Sequence, residues 1–177
     1  MTVYVALLGG INVGARTLKM DALRATAERC GFDDVATFIQ SGNVIFRSRK
    51  GAKAVTTALH DAILEDSGID TRVATRTASQ LQEVVGRNPF LDRTDDPTKL
   101  SVTFLFDGVT PTLSAVRPEI YAPDEVQVIG HEAFLHTPNG MGKTKLVPAV
   151  AKKLGLAGTT RNWRSTLKLA ELAAHPD

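Results

Sequence analysis

Tyr4-Val-Ala-Leu-Leu-Gly-Gly-Ile-Asn-Val-Gly14 is an apolar strand that runs straight into a glycine-rich loop, and the rest of the chain falls into order around it. Val3, Val5 and Leu7 alternate with Tyr4, Ala6 and Leu8, so both faces are apolar, the pattern of a strand covered on both sides or central in a sheet. Gly9, Gly10 and Gly14 then give a backbone that can wrap closely round a ligand or round another part of the chain. A tight structural turn accounts for the same glycines, and Asn12 is the one polar side chain among them. No reaction follows from these residues alone.

Working outward, Met20, Leu23, Ala27 and Cys30 recur at helical spacing, with Asp21 in the first turn and Gly31 as the stop. Val35–Ile39 and Val44–Phe46 read as a hairpin around Gln40-Ser-Gly-Asn43, with Gly42 and Asn43 where positive φ is needed. A helix is expected over Ala52–Asp66, ended by Gly68, and a strand over Ile69–Thr77. Strand, helix, strand, strand, helix, strand is the ferredoxin-like order. Ser79, with Gln82 three residues on, caps a short helix over Gln80–Arg87, and Asn88–Thr98 reads as a linker.

A second pass then begins. Leu100–Phe106 is a strand, Thr112–Val116 a short helix, Glu125–Ile129 and Ala133–His136 a hairpin around Gly130, and Lys145–Leu154 a helix closed by Gly155. The expected fold class is α+β: two ferredoxin-like (βαββα) subdomains with mainly antiparallel sheets, packed together as one structural unit, over residues 1–87 and 98–177. Thr159–Leu172 reads as a terminal helix capped by Thr159 or Thr160, with Trp163, Leu167, Ala170 and Leu172 near one face.

At 177 residues, 43% apolar and 23% charged, the chain has the composition of an ordinary soluble protein. Neither a signal-peptide pattern nor a run of about 18 apolar residues is present, so a cytoplasmic location and no membrane partner are expected. The single cysteine, Cys30, excludes an intramolecular disulfide, and His60, His131, His136 and His175 are not spaced as ligands, so no metal is expected. The net charge of +2 is uneven: from Gly130 onward, seven Lys or Arg face three Asp or Glu. A basic end of this kind attracts anions, although solvated helix faces carry lysines too.

Pro138-Asn-Gly-Met-Gly-Lys-Thr144 follows a strand and opens a helix, as a phosphate-binding P-loop does, but Thr137 stands where the first glycine belongs and no carboxylate for magnesium is placed; Asp107 precedes the loop. No G-x-S-x-G surrounds any serine, and Ser41 is explained as a turn residue. Asp92, Asp95 and Asp96, between two prolines, read as a solvated acidic linker.

Four motifs taken in order, Gly10-Ile-Asn-Val-Gly14, Ile39-Gln-Ser-Gly-Asn-Val44, Asn88-Pro-Phe90 and Thr159-Thr-Arg-Asn-Trp163, give a chain that resembles the DUF1697 family of small bacterial proteins nearly end to end. The resemblance implies two ferredoxin-like α+β subdomains. It also implies an arginine where this chain has Gly9, so whatever that arginine binds is expected to bind less well here. The family's function is unassigned, and the resemblance implies no catalytic residues and no cofactor.

Three functions remain open on the residues. The first is binding of an anionic ligand, a nucleotide or nucleic-acid phosphate, near Gly10, Asn12 and Gly14 and near Lys143 and Lys145, with Arg161 and Arg164 as a clamp on the last helix. Against nucleic acid stand the 6% aromatic content and the lack of an aromatic-rich strand. The second is an enzyme on a small phosphorylated or carboxylated metabolite, with Asn12, Lys19, Gln40, Ser41 and Asn43 converging from two strand ends. The third is a protein-interaction module that pairs through a strand edge.

Overall fold

β1 (Thr2–Leu8) carries apolar side chains to both faces and is buried from Tyr4 to Leu8, so it needs neighbours on both edges and cover above and below. In the computed structural model, which describes residues 1–112 and 118–176, antiparallel β3 (Asn43–Ser48) and β4 (Val73–Thr77) flank it. β2 (Asp33–Phe38) lies outside β3, giving the order β2-β3-β1-β4. One face of this sheet, with Tyr4, Ala6, Leu8, Val44 and Phe46, packs on Leu23 and Ala27 of α1 (Met20–Arg29) and on Val55, Leu59 and Ile63 of α2 (Ala52–Ser67). Phe32 stacks on Phe46 at 4.2 Å between ring centroids, a pair that contributes about 0.5–1.5 kcal/mol beyond its burial.

The chain divides into two compact units, Met1–Glu83 with Lys168–Asp177 and Val84–Leu167, and the division passes through α3 (Ala78–Gly86) and α5 (Trp163–Ala174). In the second unit β5 (Leu100–Leu105), β6 (Glu125–Ile129), β7 (Glu132–His136) and β8 (Gly158–Asn162) form an antiparallel sheet in the order β6-β7-β5-β8, the first sheet's order shifted by four strands. Leu105, Ala133 and Leu135 pack there against Leu146 and Val150 of α4 (Leu146–Lys152) and against Leu154 and Leu156. Both units are ferredoxin-like, α+β with antiparallel sheets. The helix expected over Thr112–Val116 lies, from residue 113 onward, outside the described residues.

Five local expectations are corrected. Thr77 rather than Ser79 caps α3: its hydroxyl accepts from Gln80 N at 3.1 Å and the Gln80 side chain accepts from Thr77 N at 2.9 Å, a reciprocal capping box that starts where β4 ends. The left-handed residues of the first hairpin are Ile39 (φ 51) and Gly42 (φ 80), while Asn43 already belongs to β3 opposite Phe38. Thr159–Asn162 is strand, not helix; α5 starts at Trp163, and Asn162 Oδ1 caps it by accepting from Ser165 N at 2.8 Å. The buried positions of α5 are Trp163, Ser165, Thr166, Leu169, Ala170 and Ala173, and Leu167, assigned to the apolar face, is exposed. In the first unit Gln82 of α3 donates to Ala170 O of α5 at 2.9 Å. The stretch read as a linker is packed: Asn88 Oδ1 accepts from Phe90 N at 3.0 Å, and Phe90 is buried with its ring 6.0 Å from that of His136.

Candidate functional site: a glycine clasp and a lysine-lined cleft

The glycine loop follows β1, and its polar groups are turned on its own backbone. Asn12, left-handed at φ 53, donates through Nδ2 to Leu18 O at 3.0 Å and to Gln40 O at 2.5 Å, while its Oδ1 accepts from Leu18 N at 2.8 Å. Thr71 Oγ1 donates to Gly9 O at 2.6 Å, Gly9 N donates to Arg72 O at 2.9 Å, and Arg16 donates to Asp70 O. Gly10 and Gly14 both sit at φ +61, as the wrap requires. The loop is thereby tied to the Ile39–Asn43 turn, where Ile11 lies over Gly42; a Cβ on Gly42 would come within 2.5 Å of Ile11 Cδ1.

The structure therefore brings Asn12 and Gln40 together, but through the Gln40 carbonyl. Asn43 is fully buried and donates to Phe38 O and to Ser41 Oγ, both at 2.9 Å. Lys19 is exposed just before α1 and makes no side-chain cap. The Asn12 side-chain amide that an enzyme would direct at a substrate is used here as a clasp between two loops, and that of Asn43 is used within its own turn.

In the second unit the segment Thr137–Lys145 is not an open phosphate loop. Gly140 N donates to Thr137 O at 2.9 Å, Lys143 N donates to Gly140 O at 3.3 Å, and Leu146 N and Val147 N donate to Thr144 Oγ1 at 3.0 and 3.4 Å. Those amides are spent, and α4 behind them is only seven residues long. The Thr144 hydroxyl, which a P-loop would direct at magnesium, donates to Asp124 Oδ2 at 2.5 Å.

What survives is the side-chain charge. Lys143 and Lys145 line a cleft of about 550 Å³ with Tyr121, Asp124 and Asn139. Lys145, Lys152 and Lys153 line an adjoining cleft of about 330 Å³, and Tyr121 and Lys145 belong to both. All four lysines are exposed, and among the described residues Lys143, Lys145 and Lys152 make no ion pair. Tyr121, Asp124 and Asn139 were missed in the sequence, because they come from a turn before β6 and a turn after β7 that only the fold makes neighbours.

The two arginines part company. Arg164 is exposed in the first turn of α5 and lines a smaller cleft with Thr98, Gly140 and Met141. Arg161 lies on β8 at 6% exposure and donates to Thr159 Oγ1 at 2.5 Å and to Thr160 O at 3.1 Å; burial pushes its guanidinium down to about 10. It does not form a clamp with Arg164 on the helix. β4 repeats the arrangement: Arg76 is buried opposite Val5 and donates to Thr75 O at 2.9 Å, as Arg161 lies opposite Val102.

Asp96 accepts from Thr98 N and Oγ1 at 2.9 and 2.6 Å, and these bonds hold its carboxyl below the usual range, so it serves as the cap of the 97–99 turn. Among the described residues no group of three or more His, Cys, Asp or Glu is placed to hold a metal ion, and no helix is long and apolar enough to cross a membrane.

The conserved bacterial protein SP0830 from Streptococcus pneumoniae has a solved structure similar to this one, with a TM-score of 0.79 over 98% of this chain and 99% of that one. At 18% identity the likeness is one of fold. No curated protein matches the sequence. The first sheet, the glycine clasp and most of the second sheet fall within residues 1–134, which match the family model DUF1697, a protein of unknown function, and the chain belongs to that family.

Proposed function

We propose that the protein binds an anionic, phosphate-bearing ligand, and that the cleft between the turn at Tyr121–Asp124 and the segment Asn139–Lys145 receives it. The observation that carries this reading is the set of exposed lysines, Lys143, Lys145 and Lys152, lining two adjoining clefts without a carboxylate partner among the described residues. Unpaired ammonium groups along one concavity raise the local concentration of anions, and each contributes a charge-assisted hydrogen bond to a phosphate oxygen. A cleft of about 550 Å³ is also within the range that encloses a small molecule.

The test is calorimetric titration of ATP into the protein and into Lys143→Ala/Lys145→Ala. The wild type binds, with affinity that falls as salt rises. The double variant loses about tenfold or more, since hydrogen bonds to charged groups contribute about 1.5–3 kcal/mol each. Equal affinity in both proteins places the ligand elsewhere, and no binding by either removes the reading.

A further inference from the structure

Tyr121 is the residue on which both clefts converge, and its hydroxyl is odd. The oxygen is shielded from solvent and has no hydrogen-bond partner among the described residues. Buried polar groups in folded proteins are almost always paired, so an orphaned hydroxyl at the seam of two lysine-lined clefts calls for an explanation. Next to it Ile120 is 68% exposed, and with Ala122 and Pro123 it adds apolar surface to the larger cleft that Lys143 and Lys145 also line. Asp124 spends one carboxylate oxygen on Thr144, and Asn139 is exposed, so the same cleft also offers hydrogen-bonding groups. Bare phosphate has no use for such an apolar surface. A ligand with an anionic end, a hydroxylated middle and a flat apolar end does.

We propose that the occupant of this cleft is a nucleoside phosphate and that the Tyr121 hydroxyl is one of the groups that bind it. The proposal rests on the anion-binding reading above and adds the ligand's class and a residue. The phosphates lie at Lys143 and Lys145, the sugar hydroxyls at Asp124 and Asn139, and the base against Ile120 and Pro123. On binding, the Tyr121 hydroxyl, shielded in the free protein, turns into the cleft and gains the partner it lacks. Nucleic acid fits less well, since Tyr121 is the one aromatic residue among those that line the two clefts, and successive bases would have no further ring to stack on.

Calorimetric titrations of ATP and of inorganic tripolyphosphate into the wild type and into Tyr121→Phe separate the claims. Tripolyphosphate carries at least as much charge as ATP, so electrostatics alone gives it equal or tighter binding. The expected result is ATP tighter than tripolyphosphate by about tenfold or more, and a loss of about tenfold for ATP in Tyr121→Phe. The thermal midpoint of ligand-free Tyr121→Phe is expected to be unchanged or raised, because the substitution removes a buried group that had no partner. Equal binding of the two probes overturns the nucleoside assignment and leaves the anion reading standing. If neither probe binds the wild type, both fall. Unchanged ATP affinity in Tyr121→Phe, or a ligand-free variant of clearly lower midpoint, overturns the role given to the hydroxyl.

Discussion

Arg161 and Arg164 are three residues apart and do opposite things, and burial decides which does what. Arg164 projects from the first turn of a helix into solvent, whereas Arg161 is at 6% exposure on β8 with its guanidinium on Thr159 and Thr160. A buried guanidinium covers apolar surface with its stem and satisfies carbonyls with its head, so truncation removes both. Arg161→Ala is therefore expected to cost about 2–4 kcal/mol in urea unfolding, and Arg164→Ala no more than about 0.5 kcal/mol. Equal costs would mean that the two share an environment. Asn12 teaches the same lesson. Its place in a glycine loop was legible, but an amide aimed at a ligand and an amide aimed at Leu18 and Gln40 have the same sequence.

At the scale of the element, caps and periodicity compete. Thr77-Ala-Ser-Gln80 and Ser79-Gln-Leu-Gln82 are overlapping capping patterns, and β4 pairing with β1 as far as Thr77 selects the first. β8 escaped notice because its buried positions are Thr159 and Arg161, so the alternation that marks a strand is written in polar residues. α1, α2 and the two hairpins were legible, because their buried faces are apolar and glycines mark their ends.

α2 carries a further consequence. His60 Nδ1 contacts Asp61 at 2.9 Å and His60 Nε2 contacts Asp70 at 3.0 Å, linking the helix to the segment before β4. Hydrogen bonding to Asp61 first, and then to Asp70, raises the imidazole above its ordinary value of 6.5. The bound proton is thus held more tightly in the folded state. The resulting stability is fully present below about pH 6.5 and is lost as pH rises through the folded-state value. The side chain is 31% exposed, so the effect is modest. The urea midpoint of the wild type should exceed that of His60→Gln by more at about pH 5.5 than at about pH 8.5. A gap that widens with pH would contradict the assignment.

For the whole molecule, the repeat of strand order is the deepest regularity. Sheets ordered β2-β3-β1-β4 and β6-β7-β5-β8, each with a buried arginine in its fourth strand and a capped helix straight after it, come from halves whose sequences do not visibly repeat. Element order sufficed to recover this fold, because short antiparallel connections leave few topologies open. The site did not follow from order, because the cleft brings Tyr121 and Asp124 to Lys143 and Lys145 across a whole hairpin.

The most direct test of the account is a map of binding by amide chemical shifts, with ATP titrated into uniformly 15N-labelled protein. The lysine-cleft account predicts progressive, saturable shifts over Ile120–Asp124 and Asn139–Lys153, with the Gly9–Leu18 loop and the Gln40–Asn43 turn unmoved. Shifts confined to that loop and turn, with the lysine segment silent, would contradict it and make the glycine clasp the binding site.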